Sequence, residues 1–148
     1  MKARMYQIGK LQMNGKVVIG DPCYGKREKN LYKVEECQSG EYVGYAYMRK
    51  LRDWGERVTK LAIYKGDEKK QCRIWLGHVF VDAGLMSFFT EKKTLNGKDW
   101  TKLCDLMYGK DYAKYKEIGL ISTSGLGDGY YEVFTNKDRT AFEVRFID

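Results

Sequence analysis

Three turns in this chain combine acidic, hydroxyl and glycine residues in ways that can bind or activate a ligand. Gly20-Asp21-Pro22-Cys23-Tyr24-Gly25 follows the apolar run Val17-Val18-Ile19, and Val81-Asp82-Ala83-Gly84 closes a second apolar run. The third, Ser122-Thr123-Ser124-Gly125-Leu126-Gly127-Asp128-Gly129-Tyr130, follows Leu120-Ile121. Asp-Pro starts a turn, because proline fixes φ and the carboxylate accepts nearby backbone N–H groups. An aspartate closing a buried strand must reach water, a partner or a ligand, since a lone buried carboxylate is costly. Alternate glycines preceded by hydroxyls can aim several backbone N–H groups at one point and so hold an anion. If the three turns share one end of the fold, Asp21, Asp82 and Asp128 could hold a hard cation such as Mg²⁺ or Ca²⁺, or divide acid and base roles. The plainer reading is that each aspartate caps its own turn.

Other chemistries have less to work with. His78 is the one histidine, so a Ser-His-Asp or Cys-His mechanism would have to use it, and its neighbours in Ile74-Trp75-Leu76-Gly77-His78-Val79-Phe80-Val81 are apolar. A histidine in that setting is more often a hydrogen-bonded core residue than a base. Cys23, Cys37, Cys72 and Cys104 include no C-x-x-C pair, which leaves no knuckle for structural zinc. Walker A, H-E-x-x-H and EF-hand sequences are absent, and a strand rather than a helix is expected after the glycines of the third turn, so the dinucleotide fingerprint fails. No cofactor or metal signature is therefore expected.

Charge points toward anions. The 148 residues carry 27 Lys and Arg against 20 Asp and Glu, a net charge of +7. A surplus of that size speeds encounter with nucleic acid, nucleotides and acidic proteins. From Arg49 to Arg73 there are nine basic residues against four acidic ones, with Arg49, Arg57 and Lys60 as candidate anion contacts. Solvated strands with Lys-rich edges are the plainer account of that segment. The 12 tyrosines and three tryptophans offer rings for stacking. No apolar run is long enough to span a bilayer and no secretory h-region opens the chain, so a cytoplasmic protein with reduced, mostly buried thiols is expected.

The elements that must position these residues are mostly strands. Period-two patterning marks Glu41 to Arg49 and Glu56 to Lys65 as neighbours, with Val43, Tyr45 and Tyr47 on one face. Tyr130 to Thr135 and Thr140 to Ile147 read as a hairpin whose second arm turns Phe142, Val144 and Phe146 one way, Glu143 and Arg145 the other. Cys72 to Val81, apolar at both phases, reads as a central strand. Asn14-Gly15 is a hairpin-turn signal between Met5–Ile8 and Lys16–Ile19. Trp100, Leu103, Cys104 and Met107 share one helical face, with Asn96 or Asp99 as N-cap and Gly109 as stop, and Tyr112 to Lys116 adds a further turn. With one proline and no linker, the expectation is a single domain over 1–148: mainly β (α+β), an antiparallel β-sandwich or half-open barrel with one packed helix.

The sequence of motifs Asp21-Pro22, Val81-Asp82-Ala83-Gly84 and Ser124-Gly125-Leu126-Gly127-Asp128-Gly129-Tyr130-Tyr131 resembles a bacterial and phage family known as a domain of unknown function. The resemblance spans almost the whole chain; it implies a β-rich fold and treats the three motifs as one unit, and it brings no activity with it. The leading expectation is a small basic binding protein for an anionic ligand, nucleotide or nucleic acid foremost, using Asp21, Tyr24, Asp82, Ser124, Gly125, Gly127, Asp128 and Tyr130. By analogy with phage-borne proteins it would act in phage–host conflict. The alternatives are a metal-assisted hydrolase built on the aspartates and an inhibitor that docks a host protein and has no small-molecule ligand.

Overall fold

The computed structural model describes residues 3–23, 32–91, 95 and 97–148. Within them, eleven strands and one helix follow in the order β1 (Arg4–Met13), β2 (Lys16–Gly20), β3 (Lys33–Glu36), β4 (Gly40–Leu51), β5 (Gly55–Lys65), β6 (Ile74–Val81), β7 (Leu85–Phe89), α1 (Gly97–Met107), β8 (Tyr112–Tyr115), β9 (Gly119–Thr123), β10 (Gly129–Thr135) and β11 (Ala141–Arg145). A six-stranded sheet runs β1-β4-β5-β11-β10-β6 and a five-stranded sheet runs β3-β2-β7-β9-β8. Every pairing among these strands is antiparallel. The protein is a β-sandwich with one helix packed on it.

Alternation explains the core. Leu61 and Ile63 of β5, Val133 of β10, and Phe142 and Val144 of β11 turn inward to meet Ile19, Phe88 and Leu120 of the second sheet. The sheets approach closely at Gly44, where a Cβ would collide with Leu120, so glycine is required there. The helix lays Leu103 and Met107 on Phe89, Tyr115 and Ile121, on the opposite side of the five-stranded sheet. The outer face of the six-stranded sheet carries a further small cluster of Tyr47, Ala62, Tyr64, Cys72 and Ala141, covered by the β5–β6 connection.

The C-terminal hairpin and the β4–β5 pair form as the patterning predicts. Three expectations fail for physical reasons. Asn14-Gly15 does not close a hairpin: β1 pairs with β4 and β2 with β3 and β7, so the chain crosses between sheets there, and buried Met13 and Val17 anchor both sides of the crossing. Tyr112–Tyr115 is a strand paired with β9 instead of a helical turn, its Tyr115 buried under α1. The apolar run of β6 lies at the edge of its sheet, with Ile74, Trp75 and Phe80 in solvent, so it is an exposed aromatic surface and not a central strand. In α1, Leu103 and Met107 are buried but Cys104 is exposed; Asn96 lies outside the described residues. Gly109, at φ 70°, ends the helix as expected.

Candidate functional site

The three turns do adjoin one another, and Asp21 is what joins two of them. Its side chain is 3% exposed. Oδ2 accepts the backbone N–H groups of Asp82 (2.9 Å) and Ala83 (2.7 Å), and Oδ1 accepts that of Cys23 (3.0 Å). Ser124 then donates its backbone N–H to the Gly84 carbonyl at 3.1 Å, tying the third turn to the second. Three amides satisfy this carboxylate, which makes it a clamp between loops.

The glycine turn is equally self-contained. Gly125 and Gly127 hold φ of 67° and 119°, as the motif requires. Ser124 Oγ and Tyr131 Oη both donate to the Gly127 carbonyl, at 2.9 and 2.7 Å, and the Gly127 N–H closes the turn onto Ser124 O. Gly125 is buried where a Cβ would press on Phe146. Asp128 is exposed and caps none of this. A hollow of about 390 Å³ does lie between the first two turns and the start of α1, lined by Pro22, Cys23, Asp82, Ala83, Leu95, Gly97 and Trp100. Its charged wall is Asp82, which repels an anion. Tyr24 lies outside the described residues.

A second hollow, about 470 Å³, opens on the outer face of the six-stranded sheet under the β5–β6 connection. Lys60, Lys69, Lys70, Arg73 and Arg145 line it together with Glu143 and Asp148. Glu143, 3% exposed, is the floor of this site: Lys60 Nζ stands 3.7 Å from Oε1, and the Arg145 guanidinium bonds Oε2. Burying one carboxylate between two cations fixes both cations in place. Lys60 also sits 4.2 Å from the centre of the Tyr47 ring, whose hydroxyl pairs with that of Tyr64 at 2.8 Å. Arg145 reaches across to donate to Cys72 O at 2.7 Å and lies 3.7 Å over the Phe134 ring. Lys70 is tied to the Lys65 carbonyl, whereas Lys69 and Arg73 are exposed at the rim.

Strand register carries this face onward to the sheet edge. Tyr47, Lys60, Arg145, Glu132 and His78 oppose one another in one row across β4, β5, β11, β10 and β6. Beyond the cations stand Trp75 and Tyr130, 54% and 64% exposed, with His78 packed edge-on against each at 5.5 and 5.2 Å. Phe80 joins them at 6.0 Å from Tyr130. Trp75 and His78 are three residues apart and would face opposite sides of a regular strand. The register shift beside Gly77, whose φ is 112°, re-phases the strand and brings them together.

Of the residues singled out from sequence, Lys60 and Tyr130 belong to this outer face. Arg49 and Arg57 pair across β4 and β5 beside it. Arg49 donates to Asp148 O at 2.7 Å and Arg57 to Trp54 O at 2.9 Å. Asp21, Ser124, Gly125 and Gly127 build the loop end instead. Sequence reasoning missed Lys69, Arg73, Glu143, Arg145, Trp75 and Phe80 as members of a site; the available signal was that Glu143 and Arg145 share a face opposite the core.

The four cysteines are free, and only Cys72 is buried, which corrects the expectation of mostly buried thiols. All four thiols are pushed above their ordinary range, chiefly by desolvation. Cys72 rises to about 12, with Glu143 adding to the effect; Asp21 and Asp82 add to it at Cys23. Such thiols stay protonated near neutrality and are poor nucleophiles. Among the described residues no three His, Cys, Asp or Glu side chains are grouped so as to hold a metal ion, so Asp21, Asp82 and Asp128 form no such trio. Nor is any described helix long and apolar enough to cross a membrane. No family model, curated protein or solved structure matches the chain.

Proposed function

We propose that the protein binds a phosphate-bearing anion, nucleotide or nucleic acid, on the outer face of its six-stranded sheet. The observation that carries this reading is the hollow lined by five basic side chains against two acids, with two of the cations held by the buried Glu143 on its floor. Glu143 neutralises part of that charge and holds Lys60 and Arg145 rigid, so a ligand meets donors already in place. Lys69 and Arg73 at the rim supply charge that no buried acid offsets. The loop end, in this reading, is scaffold. Asp21 ties the β2 and β6 ends together and so supports the edge on which Phe80 and Tyr130 stand.

Counterion release gives the test. Fluorescence-anisotropy titration with a labelled oligothymidylate, inorganic polyphosphate and ATP should show binding that weakens steeply with added salt. Lys69→Glu combined with Arg73→Glu should lower affinity by about tenfold or more, since each reversal removes one favourable contact and adds a repulsion. The thermal midpoint should hold, because both side chains are exposed. Salt-independent binding, or full affinity in the double variant, overturns the proposal; so does the absence of binding to all three probes.

A further inference from the structure

Resting on that reading, we infer that the ligand is a single-stranded nucleic acid whose bases stack on the aromatic cluster of β6 and β10 while its phosphates lie at the cationic hollow. Both halves of such a site are present on one sheet face. Trp75 and Tyr130 are more than half exposed, although burial would favour rings of this size. Their setting is held by His78 between them and by the bulge at Gly77, and a side chain at Gly77 would press on Lys33.

The length of the face suits a strand. From Lys60 to His78 the row crosses three strand spacings of about 4.8 Å, roughly 14 Å in all. That is about four phosphate spacings of a stacked strand, at ~3.4 Å each, so a strand of a few nucleotides covers the row from the hollow to the rings. Geometry selects single strands over duplex as well. In a duplex the base faces are covered by their neighbours, whereas unpaired bases offer them to aromatic side chains. Glu132, between Arg145 and His78, is the acid between the hollow and the rings; it stands 3.7 Å from His78 Nε2 and is mostly exposed.

The test uses the folded chain with Trp54→Phe and Trp100→Phe, which leaves Trp75 as the one tryptophan. An oligothymidylate of about ten nucleotides should quench its fluorescence, and polyphosphate should bind without quenching. Trp75→Ala and Tyr130→Ala should each weaken oligothymidylate binding by roughly tenfold and leave polyphosphate binding unchanged. Trp75→Phe and Tyr130→Phe keep a ring and should keep most of the affinity, which serves the test if an alanine variant does not fold. Oligouridylate in parallel separates RNA from DNA preference within the same class. Equal affinity for polyphosphate, duplex and single strand, with no quenching and no effect of the aromatic variants, overturns the inference and leaves anion binding intact. If none of these anions binds, both readings fail.

Discussion

Asp21 and Glu143 are buried to the same extent, 3% exposed, and are stabilised by opposite means. Asp21, at the loop end, is held by backbone N–H groups of its own and the neighbouring turn. Glu143, on the sheet face, is held by side-chain cations from β5 and from its own strand. An amide engaged in a turn cannot swing toward a ligand without unmaking the turn. A lysine or arginine can share its donors between a buried acid and an arriving phosphate. The contrast separates an acid that shapes the backbone from one that arms a surface.

Asp21→Ala should have the largest effect. It strands three amides near the protein interior and should lower unfolding free energy by about 3–5 kcal/mol in urea titration. Polyphosphate affinity of the fraction that remains folded should be unchanged, because the cationic hollow lies away from the loop end. A loss below about 1 kcal/mol would remove the distinction between the two acids. Glu143→Gln keeps the shape but leaves Lys60 and Arg145 without their counter-charge; a loss of about 2 kcal/mol is expected, together with weaker oligonucleotide binding, because the two cations lose the group that orients them. Tighter binding would show that Glu143 competes for the cations more than it orients them.

A smaller effect depends on pH. The Cys72 thiol is raised from 9.0 to about 12 in the fold, so the folded protein keeps a proton that the unfolded chain releases. The stabilisation is complete below pH 9.0 and is lost as pH rises toward about 12. Cys72→Ala should flatten that part of the alkaline stability curve, measured by thermal midpoint against pH. Tyr47 and Tyr64, also raised by burial, keep the remainder of the slope. The smallest effect belongs to Asp128→Ala: exposed and outside the hydrogen bonds that close its turn, it should change stability by less than about 0.5 kcal/mol. It should leave binding untouched, contrary to what its place in the motif implies.

What could be read from the chain was whatever is local. The β10–β11 hairpin follows from alternation over a short span, and the glycine turn from residues that need positive φ. The mainly β class follows from the same alternation, which a sandwich and a half-open barrel share. Partner strands were harder. Asn14-Gly15 has the chemistry of a tight turn, yet the crossover is decided by where Met13 and Val17 find a core. The outer face was hidden for two reasons. Trp75 and Phe80 make β6 look like a buried strand, because hydrophobicity alone does not tell a core ring from a displayed one. The bulge at Gly77 also breaks the period on which any reading of faces relies. Lys60 and Arg145 lie 85 positions apart in sequence and become neighbours only through the pairing of β5 with β11.

That pairing scheme has an evolutionary corollary. In β10, Tyr130 and Glu132 look outward while Val133 is locked in the core, so register is guarded by one set of residues and surface character is written by the other. Substitutions at the outward positions can therefore retune what the sheet accepts at little cost to folding. A one-residue insertion or deletion in the same strand would exchange the two sets at a stroke. Lineages of this protein should differ in the identity of those side chains only as their ligands differ, and hardly at all in strand length.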